Sequence, residues 1–196
     1  MEEIKISKKT VKIGSFIIIL LIALSSFLLF YKNSGDNENQ ELVAGSDEKF
    51  VVLKSASSSL CSGPSFIDSK EETDRLQGAC CSQMDLHRYK EQVEGLKKYS
   101  YIEKIPSDPY DIPVSLVREL LDYQKNIILT QEQQQIYDEA VKMSHEGGPC
   151  CCKCWRWYAF EGLAKYLITE YDFNSEQIAE IWDLEDGCGG KGHADH

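Results

Sequence analysis

Positive charge is scarce in this chain. Its 196 residues carry 21 Lys and Arg against 32 Asp and Glu, a net charge of −11 at neutral pH. The imbalance is steeper beyond the first 32 residues, where 16 basic residues face 30 acidic ones. Such a surface repels phosphate, so nucleic acid is excluded as a partner and anionic lipid head groups are poor ones. The usual catalytic signatures are missing too. There is no G-x-S-x-G, no H-E-x-x-H, no phosphate-binding glycine loop and no haem-attaching C-x-x-C-H. Enzyme chemistry therefore finds little support. Internal repeats of fixed period are also lacking.

One long apolar run breaks the pattern. Ile13 to Tyr31 holds 19 residues without a charge, behind a leader carrying Lys5, Lys8, Lys9 and Lys12. As a helix it would span roughly 28 Å, close to the hydrocarbon thickness of a bilayer. The basic flank predicts a cytoplasmic N-terminus and a chain that leaves the cytoplasm after Lys32. No small-residue cleavage site follows, which points to a retained signal anchor rather than a removed signal peptide. No cysteine stands at the end of the run, so a lipid-modified cysteine there is excluded. The expected organisation is a basic leader (1–12), a single span (13–31), an acidic tether (32–48), a cysteine-rich helical domain (49–186) and a Gly/His tail (187–196) with His193 and His196.

The remaining pattern is helical. Phe50 to Leu53 reads as a short strand or extended segment. Leu86, Tyr89, Val93 and Leu96 keep the spacing of one helix face. Ile105 to Pro113 holds three prolines and reads as a linker. Pro113 suits the first position of a second helix bearing Leu116, Val117, Leu120 and Leu121. Thr130 and Gln133 form a capping box for a third, with Ile136, Tyr137, Ala140 and Met143 on one side, ended by Gly147-Gly148. A fourth opens at Pro149 and carries Trp155, Tyr158, Ala159, Gly162, Leu163, Tyr166 and Leu167. Asn174 and Gln177 cap a short last helix with Ile178, Ile181 and Trp182. The fold class expected is all-α, a bundle of about five short helices.

Against these absences stand eight cysteines. Four crowd into Gly147-Gly148-Pro149-Cys150-Cys151-Cys152-Lys153-Cys154. If Pro149 opens the helix, Cys150 and Cys151 fall in its first turn. There the helix dipole and Lys153 would favour thiolate. Cys151 and Cys154 form a C-x-x-C pair on one side. A second group, Cys80-Cys81 with Met84 and His87, stands at another helix start. Thiolate with thioether suits Cu(I); thiolate with imidazole suits Zn²⁺. The expectation is a shared soft-metal site. Its first ligands are Cys81, Cys151, Cys152 and Cys154, and its further ones Cys80, Cys150, Met84 and Cys188. A metal-transfer or redox protein would be its partner.

Two other readings stay open. Outside the cytoplasm the eight thiols can instead pair, for example Cys80 or Cys81 with Cys150 or Cys152. Adjacent cysteines bridge each other poorly. The C-x-x-C at a helix start also admits thiol–disulfide exchange, without the thioredoxin-like context.

The spacing Pro149-Cys150-x-Cys152-x-Cys154 resembles that of the PCYCGC-motif proteins, small extracytoplasmic lipoproteins. The similarity runs through the following helix to Asn174–Ile181. Cys151 and Lys153 stand where that family has Tyr and Gly. The resemblance implies placement outside the cytoplasm and no catalytic residues.

Overall fold

A computed structural model describes residues 42–190 of the chain. The basic leader and the apolar run Ile13–Tyr31 lie outside the described residues, as do His193 and His196. Among the described residues no helix is long and apolar enough to cross a membrane.

Seven α-helices and one two-stranded sheet make up the described fold. Helix α1 spans Asp47–Ser55, α2 Ser65–Asp68, α3 Leu86–Leu96, α4 Val114–Asn126, α5 Gln131–Met143, α6 Trp155–Glu170 and α7 Ser175–Leu184. A 3₁₀ turn, Lys97–Tyr99, follows α3. Strands β1 (Arg75–Gln77) and β2 (Asp111–Pro113) pair antiparallel, with Leu76 opposite Ile112. The domain is mostly helical, with two more helices and a small antiparallel two-stranded ladder beyond the expected five-helix bundle.

The departures have local causes. Phe50 to Leu53 is helical because Ser46 accepts the Lys49 N–H, capping a first turn that carries Asp47 and Glu48. Phe50 and Leu53 then fall three apart on the buried face. Chain order also begins earlier than the expected tether allows, since the Gly45 N–H donates to the Tyr89 hydroxyl at 2.9 Å. The proline-rich stretch is not a free linker. Its end, Asp111-Ile112-Pro113, is β2, and the Ile112 side chain is fully buried. The buried Asp111 carboxylate accepts from Lys49 of α1 and, at 2.5 Å, from Arg75 of β1. Both capping boxes form as read, Thr130 with Gln133 and Asn174 with Gln177.

The main core lies between α4 and α6, with α5 and α7 completing it. Leu120, Leu163, Leu167, Ile178 and Trp182 are among its buried members. Gly162 sets the α4–α6 distance: a Cβ there would stand 1.9 Å from the Leu120 carbonyl oxygen. A second apolar cluster holds Phe50, Leu53, Met84, Tyr89, Val93 and Tyr110. A third is made of cysteines, at the N-terminal end of α6.

Candidate metal centre

Four chain segments meet at that end, each held by backbone hydrogen bonds. The Trp155 N–H donates to the Ser62 carbonyl at 2.7 Å and its indole N–H to Leu60 at 2.9 Å. Together they hang the Cys61 loop on the start of α6. The segment before α3 runs beside the segment after α7. The Cys80 N–H donates to Gly187 O (3.1 Å), Ser82 N–H to Cys188 O (2.7 Å) and Gly190 N–H to Gln83 O (2.7 Å). Gly187 to Gly190, expected to open a loose tail, is therefore pinned. The fourth segment is the cysteine run itself, closed by the Cys154 N–H on Cys152 O at 2.9 Å.

This run differs from its expected form. Helix α6 starts at Trp155, and Cys154 is its N-cap residue, with extended backbone. Cys150 to Lys153 form bends ahead of the helix, so Cys150 and Cys151 are not in a first turn. The gain is freedom of direction. Consecutive bend residues are not held to the fixed angular step of about 100° that a helix imposes, so their sulfurs can meet neighbours on several segments.

The sulfurs of both cysteine groups come together. Cys81 Sγ lies 3.9 Å from Cys151 Sγ, and Cys80 Sγ 3.6 Å from Cys81 Sγ. Cys188 Sγ is 3.0 Å from Cys151 and 3.4 Å from Cys150, and Cys150 is 3.9 Å from Cys154. Cys61 Sγ reaches Cys152 Sγ at 2.8 Å. All eight cysteines are free thiols. Three triads have their sulfurs within 4.8 Å of one another: Cys61/Cys81/Cys152, Cys80/Cys81/Cys188 and Cys150/Cys151/Cys152. Clustered triads of this kind can hold a metal ion. Zn–S bonds of about 2.3 Å set tetrahedral sulfur ligands roughly 3.8 Å apart, the range of the longer contacts.

Exposure grades across the cluster. Cys150, Cys154 and Cys188 are buried; Cys61, Cys81 and Cys151 are exposed. Trp157 packs on the cluster from one side, with the Lys153 ammonium over its ring. The structure puts Met84 elsewhere, in the apolar cluster of Phe50 and Tyr89, which contains no cysteine. His87 is exposed and pairs with Glu91. Cys61 was missed by reasoning from the sequence. Its loop of small residues carried no helix register, and only the Trp155 contacts deliver it.

Several of the thiols are held protonated. Burial pushes Cys151 up to about 11; the Cys188 contact pulls it back in part, and Cys81 and Cys152 add to the rise. Contact with Cys150 and then burial raise Cys154 above the ordinary thiol range, outweighing the Trp157 and Arg156 backbone N–H groups. The Cys152 contact and burial raise Cys61 likewise. The expected lowering by a helix start is not found at Cys151, because burial and its Cys81 and Cys152 neighbours disfavour its charge and it precedes the helix.

Beneath the sulfurs lies a fully buried cation. Arg156 is wholly enclosed, donating to Glu185 O at 3.1 Å and Pro109 O at 2.9 Å. Its Nε has no partner, and neither has either carboxylate oxygen of buried Glu185. Gly187 makes room for the guanidinium: a Cβ there would stand 2.3 Å from Arg156 Cζ.

Comparison of the chain with protein-family models, curated proteins and solved structures finds no match.

Proposed function

We propose that this is a membrane-anchored extracytoplasmic protein that binds a soft metal ion through its cysteine cluster, Cu(I) first and Zn²⁺ second. Sequestration, delivery to a protein partner or sensing would be its task. One observation carries the reading: eight sulfurs from four separate segments converge, including three mutually close triads. Thiolate ligands select Cu(I) and Zn²⁺ among common ions. Cys81, Cys151, Cys152 and Cys154 remain the principal proposed ligands, with Cys80, Cys150 and Cys188 beside them and Cys61 added. Met84 is the weakest of the proposed set. The raised thiol pKa values speak against a thiolate nucleophile, so thiol–disulfide exchange is the less favoured chemistry. The anchor rests on the sequence of residues 1–32, and the PCYCGC-like spacing is in keeping with an extracytoplasmic site.

A second reading has its own support. Cys61–Cys152 and Cys151–Cys188 are the closest sulfur pairs, at 2.8 and 3.0 Å. Oxidation would make them the first disulfides of a stapled interaction domain without metal. Native mass measurement of the full chain, purified without oxygen, separates the two. A stoichiometric metal adduct on eight free thiols supports metal binding. A metal-free mass about 8 Da below the reduced value, two hydrogens per disulfide, overturns it.

A further inference from the structure

We infer that the cluster holds three Cu(I) ions as one thiolate-bridged assembly, in which Cys81 and Cys152 each serve two ions. The inference rests on the soft-metal reading above and goes beyond it in number, coordination and bridging residues.

The argument is one of ligand count. The three triads offer nine ligand positions from seven cysteines, because Cys81 belongs to two triads and Cys152 to two; Cys154, 3.9 Å from Cys150, stands outside all three and is not counted among the ligands of this assembly. Three-coordinate sites fit Cu(I), which accepts trigonal thiolate coordination. Three tetrahedral Zn²⁺ ions would need about twelve positions, more than these triads provide. Sharing also follows from position. Cys81 joins the outer triad to that of Cys80 and Cys188, and Cys152 joins the outer triad to that of Cys150 and Cys151. The outer triad pairs exposed Cys61 and Cys81 with Cys152, and so presents the entry point for an incoming ion.

Charge supports the same picture. Three Cu(I) ions displace the protons of seven thiols, leaving four formal negative charges on the assembly and seven protons in solution. Copper enters as Cu(I), so no electron is transferred. Arg156 is the fixed cation that faces this charge. Its guanidinium is buried and bonds the Glu185 backbone carbonyl, but its Nε and the Glu185 carboxylate have no hydrogen-bond partner in the protein. A buried cation with no carboxylate hydrogen-bonded to it is costly, and an anionic cluster beside it offsets that cost.

The test is titration of the full 196-residue chain, reduced, in detergent and without oxygen, with the Cu(I)–acetonitrile complex. Bound copper is counted by elemental analysis after desalting, and luminescence reports solvent-shielded polynuclear Cu(I)–thiolate. The expected result is three ions per chain with strong emission. Cys81→Ser and Cys152→Ser should each cut capacity from three to one. Cys61→Ser, which touches one triad, should cut it from three to two. Far-UV circular dichroism checks that each variant keeps its helices; Cys61 and Cys81 are exposed, so their substitution should spare the fold. Saturation at two ions or fewer in the parent chain overturns the inference, and so does the loss of a single ion in Cys81→Ser. A chain that binds no copper at any ratio overturns the soft-metal reading itself.

Discussion

The middle and the N-terminal end of helix α6 are built on opposite principles. Along its middle, α6 lies on α4 through apolar side chains and one glycine, and the contact is complete without any ligand. At its N-terminal end the neighbours are thiols, an enclosed guanidinium and a buried carboxylate without partners. Of the five buried side-chain polar atoms left unpaired among the described residues, three belong to Arg156 and Glu185. Native interiors rarely tolerate such groups without a functional cause. One helix thus joins an apolar seam to a polar, sulfur-rich site. The seam secures the fold, and the sulfur end carries the chemistry.

The largest expected effect lies in the seam. Gly162→Ala places a methyl group 1.9 Å from the Leu120 carbonyl oxygen and against the Gln124 backbone. Backbone cannot swing aside as a side chain can, so α4 and α6 must separate. The expected loss is about 3 kcal/mol in urea unfolding, the upper end for overpacking. The loss should be the same with and without Cu(I), because the seam does not touch the sulfurs. A loss below about 1 kcal/mol would show that the two helices give way easily, and the contrast between middle and end would fail.

Next in size is the effect of metal on the sulfur end. Ligand at about one hundred times its dissociation constant stabilises by about 2.7 kcal/mol, roughly 5–10 °C in melting temperature for a chain of this size. Cu(I) loading should give at least that in calorimetry, and a thiophilic chelator should reverse it. The direction with pH follows from the thiols. Cys151 is pushed up to about 11, and Cys61, Cys80, Cys154 and Cys188 are raised as well. These groups are protonated at neutral pH, so each ion must displace protons. Affinity should rise with pH across the neutral range and fall in acid. A melting temperature that ignores copper would make the sulfur end as self-sufficient as the seam.

The same contrast governs what could be read from the chain. The seam was legible: Leu120, Leu163 and Leu167 announce themselves by helical spacing, and the caps at Thr130 and Asn174 by residue type. The meeting of the two cysteine groups was legible as a possibility, since both stood before helices. Its detail was not. Pro149 suits a helix start, but the cysteine run bends and the helix waits until Trp155, whose backbone and indole are tied to the Cys61 loop. That tie is a tertiary contact ninety-five residues apart, beyond any local pattern. Phe50 to Leu53 misled because four apolar residues fit strand and helix alike until the Ser46 cap is seen. Arg156 was hidden between two tryptophans. No local pattern singled it out, and only Gly187 and the Pro109 and Glu185 carbonyls explain how it is enclosed.

The smallest effect has the opposite sign and tests the buried polar groups beneath the sulfurs directly. Burial pushes the Glu185 carboxyl well above its ordinary value of 4.5, Arg156 pulls it back in part, and Asp108 adds to the rise. A raised value in the folded state means that the fold holds the proton more tightly than the unfolded chain does. The stability this lends is fully present below 4.5 and is lost as pH rises through the folded value. Glu185→Gln keeps the shape and cannot ionise. The variant should match the parent near about pH 4 and exceed it by about 1–2 kcal/mol near about pH 8 in urea unfolding of the metal-free chain. If Glu185 and Arg156 instead formed a working ion pair, the variant would be the less stable protein at about pH 8, because it would strand a buried guanidinium. That result would give the sulfur end its own counter-charge and remove the reason for an anionic cluster to sit there.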